Sequence, residues 1–180
     1  MIQNNIMKGP LIMLQNLQYK HLPITWHGSI PSGKNINFET TVLQSLAANN
    51  DFPIPETLIE QEMDELYMEL DQQRHNQLFG CGDYKPFLPD ETAKQDKKIR
   101  IQAHINVKIR MVLQYIIEAE HLTISSEELE QEVKAMAKRQ NVSISEIKDF
   151  MGSNLEPLKR ELLTEKAIRL IMDSVVIQNE

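Results

Sequence analysis

The stretch IRIQAHINVKIRM, Ile99 to Met111, decides the fold. Apolar and polar residues alternate along it, as they do in a half-buried β-strand, and a strand here would make the chain a mixed α/β protein. Its surroundings favour a helix. The apolar pattern continues through Val112, Leu113, Tyr115, Ile116 and Ile117, well past the roughly five or six residues of an ordinary strand. The lead-in from Glu91 to Lys98 has helical composition and no turn signal. Ile101, Ile105, Ile109, Val112 and Ile116 step by four or three, which puts them on one helix face. The pattern predicts one helix from Asp90, a good cap, to about Glu120, with a length of about 45 Å. Apolar residues then cover more of its circumference than one packing face needs, which implies packing on several sides or exposed apolar surface.

Working outward, the rest of the chain from residue 37 also reads as helical. A helix is expected over Asn37 to Asn50. The next starts at Pro55, suited to a first turn, and runs to about Leu78, with Leu58, Ile59, Met63, Leu66, Met68 and Leu70 as its apolar face. Two capping boxes, Ser125-Ser-Glu-Glu128 and Ser143-Ile-Ser-Glu146, open helices to about Gln140 and Met151. The last helix is expected from Leu155 to about Ser174, with the stripe Leu158, Leu162, Leu163, Ala167, Leu170 and Ile171. Residues 1–36, punctuated by Gly9-Pro10, Pro23, Gly28, Pro31 and Gly33, fit short strands or a loosely packed arm. The expected division is an N-terminal arm or linker remnant over 1–36 and a helical domain over 37–180.

The chain has 180 residues, a net charge of −7, 41% hydrophobic residues and 25% charged residues. An acidic chain repels phosphate backbones, so nucleic acid is not expected as a partner. No run approaches the roughly 20 apolar residues of a membrane span. The single cysteine, Cys81, excludes an internal disulfide and suits a reducing compartment. With no secretory signal recognisable after Met1, a cytoplasmic protein is expected.

One motif suggests an enzyme. GSIPSGKN, Gly28 to Asn35, is one residue short of the phosphate-binding pattern G-x-x-x-x-G-K-[ST]. Asn35 stands where the Mg²⁺-binding hydroxyl belongs, and Pro31 removes a cradling amide. No later strand ends in an aspartate, and no βαβ alternation supplies a parallel sheet. A Gly/Pro-rich turn that contains Lys34 is the better reading, and no cofactor is expected. The histidines, His21, His27, His75, His104 and His121, have no metal-ligand spacing, and His75 with Cys81 falls short of the three or four ligands a metal needs. Cys81 lacks a neighbouring base that would make it a nucleophile. No catalytic constellation emerges.

The nine methionines carry more information. Met is flexible and polarisable, so it fills cores and also lines surfaces that accept varied partners. With apolar residues on several sides of the long helix, Met63, Met111 and Met136, together with Tyr67 and Tyr115, are the candidate lining of an open apolar groove.

Read in order, PIPETLIEQEMDEL (53–66), RIQAHINVKIRMVLQYIIEAEHLTISSEELEQEVKAMAKRQNVS (100–143) and LKRELLTEKAIRLIMDSVVI (158–177) are similar to the C-terminal domain of the trigger factor family. The shared features are the Pro55-Glu56 helix start, Ala103 followed by Val107-Lys108, the capping box Ser125 to Glu128, and Glu165-Lys166-Ala167 before a Leu/Ile-rich end. The resemblance covers about residues 37–177, and QYKHLPI (18–24) is faintly similar to the family's linker before its isomerase domain. It implies a mainly α fold, an elongated helical cradle with two arms, that binds unfolded or nascent polypeptides as an ATP-independent chaperone. The family's ribosome-docking loop, G-F-R-x-G-K-x-P, does not occur in the sequence, and residues 1–36 are too few for its FKBP-like isomerase domain, so no prolyl isomerase activity is expected. The alternative is an interaction module whose apolar faces are buried in one dedicated partner or in a homodimer.

The near P-loop generates a direct test. Titration of the chain with ATP and Mg²⁺ is expected to show no binding in the micromolar range, and Lys34→Ala is expected to change no activity. Micromolar binding that is lost in the Lys34 variant would make the loop a nucleotide site.

Overall fold

The computed structural model describes residues 17–26, 36–78 and 89–178. The elements are strand β1 (Pro23–Thr25), helices α1 (Ile36–Asn49), α2 (Glu56–Leu78), α3 (Pro89–Ala119), α4 (Ser126–Gln140), α5 (Ile144–Met151) and α6 (Glu156–Met172), and strand β2 (Val176–Gln178). The fold is mainly α, as expected. The ambiguous stretch Ile99 to Met111 lies wholly inside α3. The near P-loop, Cys81 and His27 lie outside the described residues.

The buried stripe of α3 differs from the expected one. Ile99, Ala103, Val107 and Met111 are buried at intervals of four, continuing to Val112 and Ile116, while Ile101 is 54% exposed. The periodicity holds, but the face is turned. Ala103 is fully buried, and at a close-packed position a larger branched side chain would be costly to fit. On α2 the correction is similar. Leu58 and Ile59 are buried, whereas Met68, expected on the same face, is 66% exposed.

The described residues separate into two compact units. Unit 1 holds Leu17, 43–78 and 89–112; unit 2 holds 18–26, 36–42 and 113–178. Residues 18–26 and 36–42 fall in unit 2. α1 and α3 each contribute to both units.

Unit 1 encloses a carboxylate. Glu62 on α2 is only 8% exposed. Its oxygens take an ion pair from Arg110 on α3 and a 2.8 Å hydrogen bond from Asn106 Nδ2. Without these partners its burial would cost several kcal/mol. Burial also lowers the Arg110 guanidinium from its ordinary value. Nearer the start of α2, Glu56 pairs with Arg100 at an exposed position. Lys108 Nζ lies 3.6 Å from Asp51 and 5.8 Å from the centre of the Phe52 ring.

Unit 2 is held by caps, by buried apolar residues that include Leu22, Phe38, Val42, Ile116 and Ile171, and by a short sheet. Ser125 and Ser143 form complete capping boxes with Glu128 and Glu146. α4 ends on Asn141, a left-handed cap whose N–H donates to Ala137 O. Val133, Ala137, Ile147, Leu155 and Leu158 form a core where α4, α5 and the start of α6 meet. Leu155 holds a left-handed backbone (φ +54°) at the start of α6, where no side-chain cap operates. Its burial in the core offsets the roughly 1–3 kcal/mol of that conformation. Past α6 the chain does not stay helical as far as Ser174. It turns into β2, which pairs in parallel with β1, Pro23 opposite Val176 and Thr25 opposite Gln178. Val176 N donates to Leu22 O at 2.9 Å. Trp26 packs edge-on against Phe38, with ring centres 5.0 Å apart.

The caps make stability depend on pH. The Glu128 carboxyl is held below its ordinary value of 4.5, first by the hydrogen bond from Lys166 and then by the Ser125 backbone N–H. Glu146 is lowered by the Ser143 backbone N–H and then its hydroxyl. A carboxylate depressed by folding adds stability that is complete above the unfolded value and lost as pH falls through the folded one. Thermal melts are therefore expected to weaken as pH falls below about 4.5. Ser125→Ala should cost about 1 kcal/mol at neutral pH. A melting temperature unchanged in Ser125→Ala would show that this box is not holding α4.

Candidate functional site

The five expected lining residues divide between the units. Met63, Tyr67 and Met111 belong to unit 1, Tyr115 and Met136 to unit 2. Met111 requires correction. At 1% exposure it is part of the buried α3 stripe and offers no surface. The multi-sided apolar pattern made it a lining candidate, but the turned helix face places it inward.

The other four are half-buried. Tyr67 Oη on α2 donates to Asp96 Oδ1 on α3 at 2.5 Å. That hydrogen bond first, and then desolvation, pushes the phenol up to about 12, so it stays protonated and keeps donating. The Tyr115 ring lies 6.4 Å from that of Tyr19, inclined at 70°, edge to face. Tyr19 in turn donates to Glu120 Oε1 at 2.7 Å, where Lys20 also pairs at 2.7 Å. Desolvation, and next this hydrogen bond, push the Tyr19 phenol up to about 12. Lys20 and Tyr19 together hold the Glu120 carboxyl below its ordinary value. Met136 packs along the α4–α5–α6 core beside Leu129 and Met151.

Sequence reasoning missed the most exposed large apolar side chain among the described residues. Phe150, near the end of α5, is 90% exposed. Val142 and Ile144, on either side of the Ser143 cap, are also exposed. Phe150 stands three residues after buried Ile147, a spacing that reads as core in any amphipathic helix. Only the shortness of α5, eight residues, signals that it has little partner surface to cover a phenylalanine.

The polar groups act as ties. Lys166 on α6 donates to Thr123 O at 2.8 Å and to Glu128 Oε2 at 2.9 Å, fixing α6 against the entrance of α4. Arg139 pairs with Glu132 and Lys134 with Glu130 along α4. No group of three or more His, Cys, Asp or Glu able to hold a metal occurs among the described residues. No described helix is long and apolar enough to cross a membrane.

Residues 33–173 match the family model described as bacterial trigger factor protein C-terminus. The trigger factor of Bacillus cytotoxicus is 32% identical over 133 residues, covering 74% of this chain and 31% of the relative. That of onion yellows phytoplasma is 28% identical over 141 residues, covering 78% of this chain and 32% of its own. The chain thus spans about a third of the length of these curated relatives. A solved structure of trigger factor domains from Thermotoga maritima superposes with a TM-score of 0.59 at 18% identity, over 80% of this chain and 84% of that one, a likeness of fold. The arrangement of α1 to α6 and the match over 33–173 agree: the chain belongs to the bacterial trigger factor C-terminal family.

Proposed function

We propose that the chain is an ATP-independent holding chaperone that binds unfolded or nascent polypeptides through apolar surface and catalyses no reaction. The observation that carries this reading is Phe150, 90% exposed on a capped helix. Scattered exposed apolar side chains are ordinary. A large aromatic presented on a helix whose start is fixed by a capping box is a contact waiting for a partner. Family membership favours polypeptide as that partner, and Val142, Ile144, Met63, Tyr67, Tyr115 and Met136 are further candidate contacts.

Magnitudes favour loose holding. Burying roughly 400 Å² of apolar client surface contributes roughly 10 kcal/mol gross, at about 25 cal/mol per Å². Ordering a flexible client and losing its translational freedom cancel much of this. Tight binding to one partner would need a large continuous face, whereas exposed apolar groups spread over both units suit many weak, sequence-tolerant contacts.

The chain is expected to suppress aggregation of several unrelated unfolded proteins with no nucleotide added. The effect should survive moderate salt, because apolar contact drives it. Phe150→Asp should weaken client binding by about tenfold or more, the loss of one buried aromatic, with helix content unchanged by circular dichroism. Aggregation that proceeds unaltered for every client, or tight binding to a single partner, would replace this reading with that of a dedicated interaction module. A proline-limited refolding assay is expected to show no acceleration by catalytic amounts of the chain.

A further inference from the structure

The short sheet of unit 2 has one open edge. In a parallel pair the backbone groups of successive residues point alternately toward the partner strand and away from it. Val176 N donates to Leu22 O at 2.9 Å, and Pro23–Thr25 run in register with Val176–Gln178. Val176 and Gln178 therefore turn their N–H and C=O toward β1, and Ile177 turns both of its groups the other way. Among the described residues no hydrogen bond reaches them from that side. The two edges of the sheet are unequal. On β1 the outward-facing residues are Pro23 and Thr25, and Pro23 brings no N–H, a common guard on an edge strand. β2 carries no such guard. Val175, Val176 and Ile177 are all β-branched, which favours extended backbone. Val176 is 47% exposed and Ile177 half-buried; as successive strand residues they lie on opposite faces, so an apolar side chain flanks the open backbone groups on each face.

We propose that the β2 edge takes an extended segment of an unfolded polypeptide as a third strand. The proposal rests on the holding function above and gives it a site that reads backbone rather than side chains. Ile177 N–H donates to a carbonyl of the incoming segment, and Ile177 C=O accepts from one of its amides. Every residue except proline carries both groups, so recognition requires an extended conformation and no particular sequence. Strands entering in either direction can meet this pair of groups. Apolar residues in the segment add contacts to Val176 on one face and to Ile177 on the other. A second copy of the chain is the wrong occupant, because three residues of edge bury far less than the roughly 1,200 Å² of a stable interface. A contact of that size suits a client held weakly and released.

The test follows the Ile177 amide by NMR in the full 180-residue chain. The probe is a short end-blocked peptide of alternating valine and threonine, flanked by lysines for solubility. Saturating peptide is expected to slow hydrogen exchange at Ile177 by about tenfold or more, while Val176, already bonded to Leu22, changes little. The same peptide with every amide methylated is expected not to bind. Replacing the Ile177 amide by an ester removes the N–H and keeps the side chain; it should weaken peptide binding about fivefold, the loss of one hydrogen bond. Continued protection of the Val176 amide shows that the sheet survives the change. A peptide that fails to bind, that leaves Ile177 exchange unchanged at saturation, or that binds equally well when fully methylated overturns the edge site. Slowed Ile177 exchange that appears with rising chain concentration and no peptide also overturns it, because a second copy would then be the occupant. The two readings fail separately. Aggregation suppression that persists when the peptide leaves Ile177 untouched removes the edge site and leaves holding; a chain that suppresses no aggregation removes holding, and the peptide titration still decides the edge.

Discussion

The four-residue stripe Ile99, Ala103, Val107 and Met111 is the constraint on which unit 1 depends. A 31-residue helix of mixed composition has weak intrinsic preference for any one orientation. Its rotation about its own axis is set by which stripe is covered. Ala103 is fully buried, and a small residue at that point allows a closer approach than any of the neighbouring isoleucines would. Once it faces inward, Ile101 must face outward, Met111 must be core, and Arg110 comes level with Glu62. The buried ion pair then adds direction to the packing. Glu62 tolerates burial only where Arg110 and Asn106 reach it, so the polar network penalises any rotation that the apolar stripe alone would permit.

Unit 2 solves a different problem. α4 and α5 are short, 15 and 8 residues, lengths at which isolated helices are marginal in water. Their core is correspondingly small, and each buries few of its residues. Local devices supply the rest: two complete capping boxes, a left-handed Asn141 cap, and the Lys166 tie from α6 to Glu128. Helices stabilised this way keep their shape without needing every apolar group inside, which leaves Phe150 free to face water.

Much of this was legible in the sequence, and the reasons differ from element to element. The capping boxes at Ser125 and Ser143 are short-range chemistry, with donor and acceptor three residues apart, so their positions could be read to within a residue. The helical nature of Ile99 to Met111 followed from length and context. Which face of α3 is buried did not. Apolar residues occur on most of its circumference, and choosing among them requires knowing that a neighbour approaches Ala103, a long-range fact. The same gap misplaced Met68 and Met111, one assigned inward and found exposed, the other assigned to a groove and found in the core. β2 went unread because three residues of parallel pairing with Pro23–Thr25 depend on a partner about 150 positions away.

Under the proposed holding function, folding and client contact make opposite demands on apolar surface, and the distribution of caps, ties and exposed groups suits that conflict. A domain stabilised only by a large core would bury Phe150, Val142 and Ile144 and have nothing left to offer a client. A domain that exposed them without other support would unfold or aggregate. Fixing helix ends by hydrogen bonds and charge shifts part of the stabilisation from burial to groups that remain in water. Glu128 and Glu146 show this plainly: both carboxyls are solvent-facing and both have their acidity increased by folding, Glu146 by its own cap and Glu128 by its cap together with Lys166 from α6. Under the proposed function, the apolar surface left in water by that shift would attract unfolded chains weakly and without preference for one sequence. Sequence-tolerant holding therefore requires stability that comes from somewhere other than the surface that does the holding.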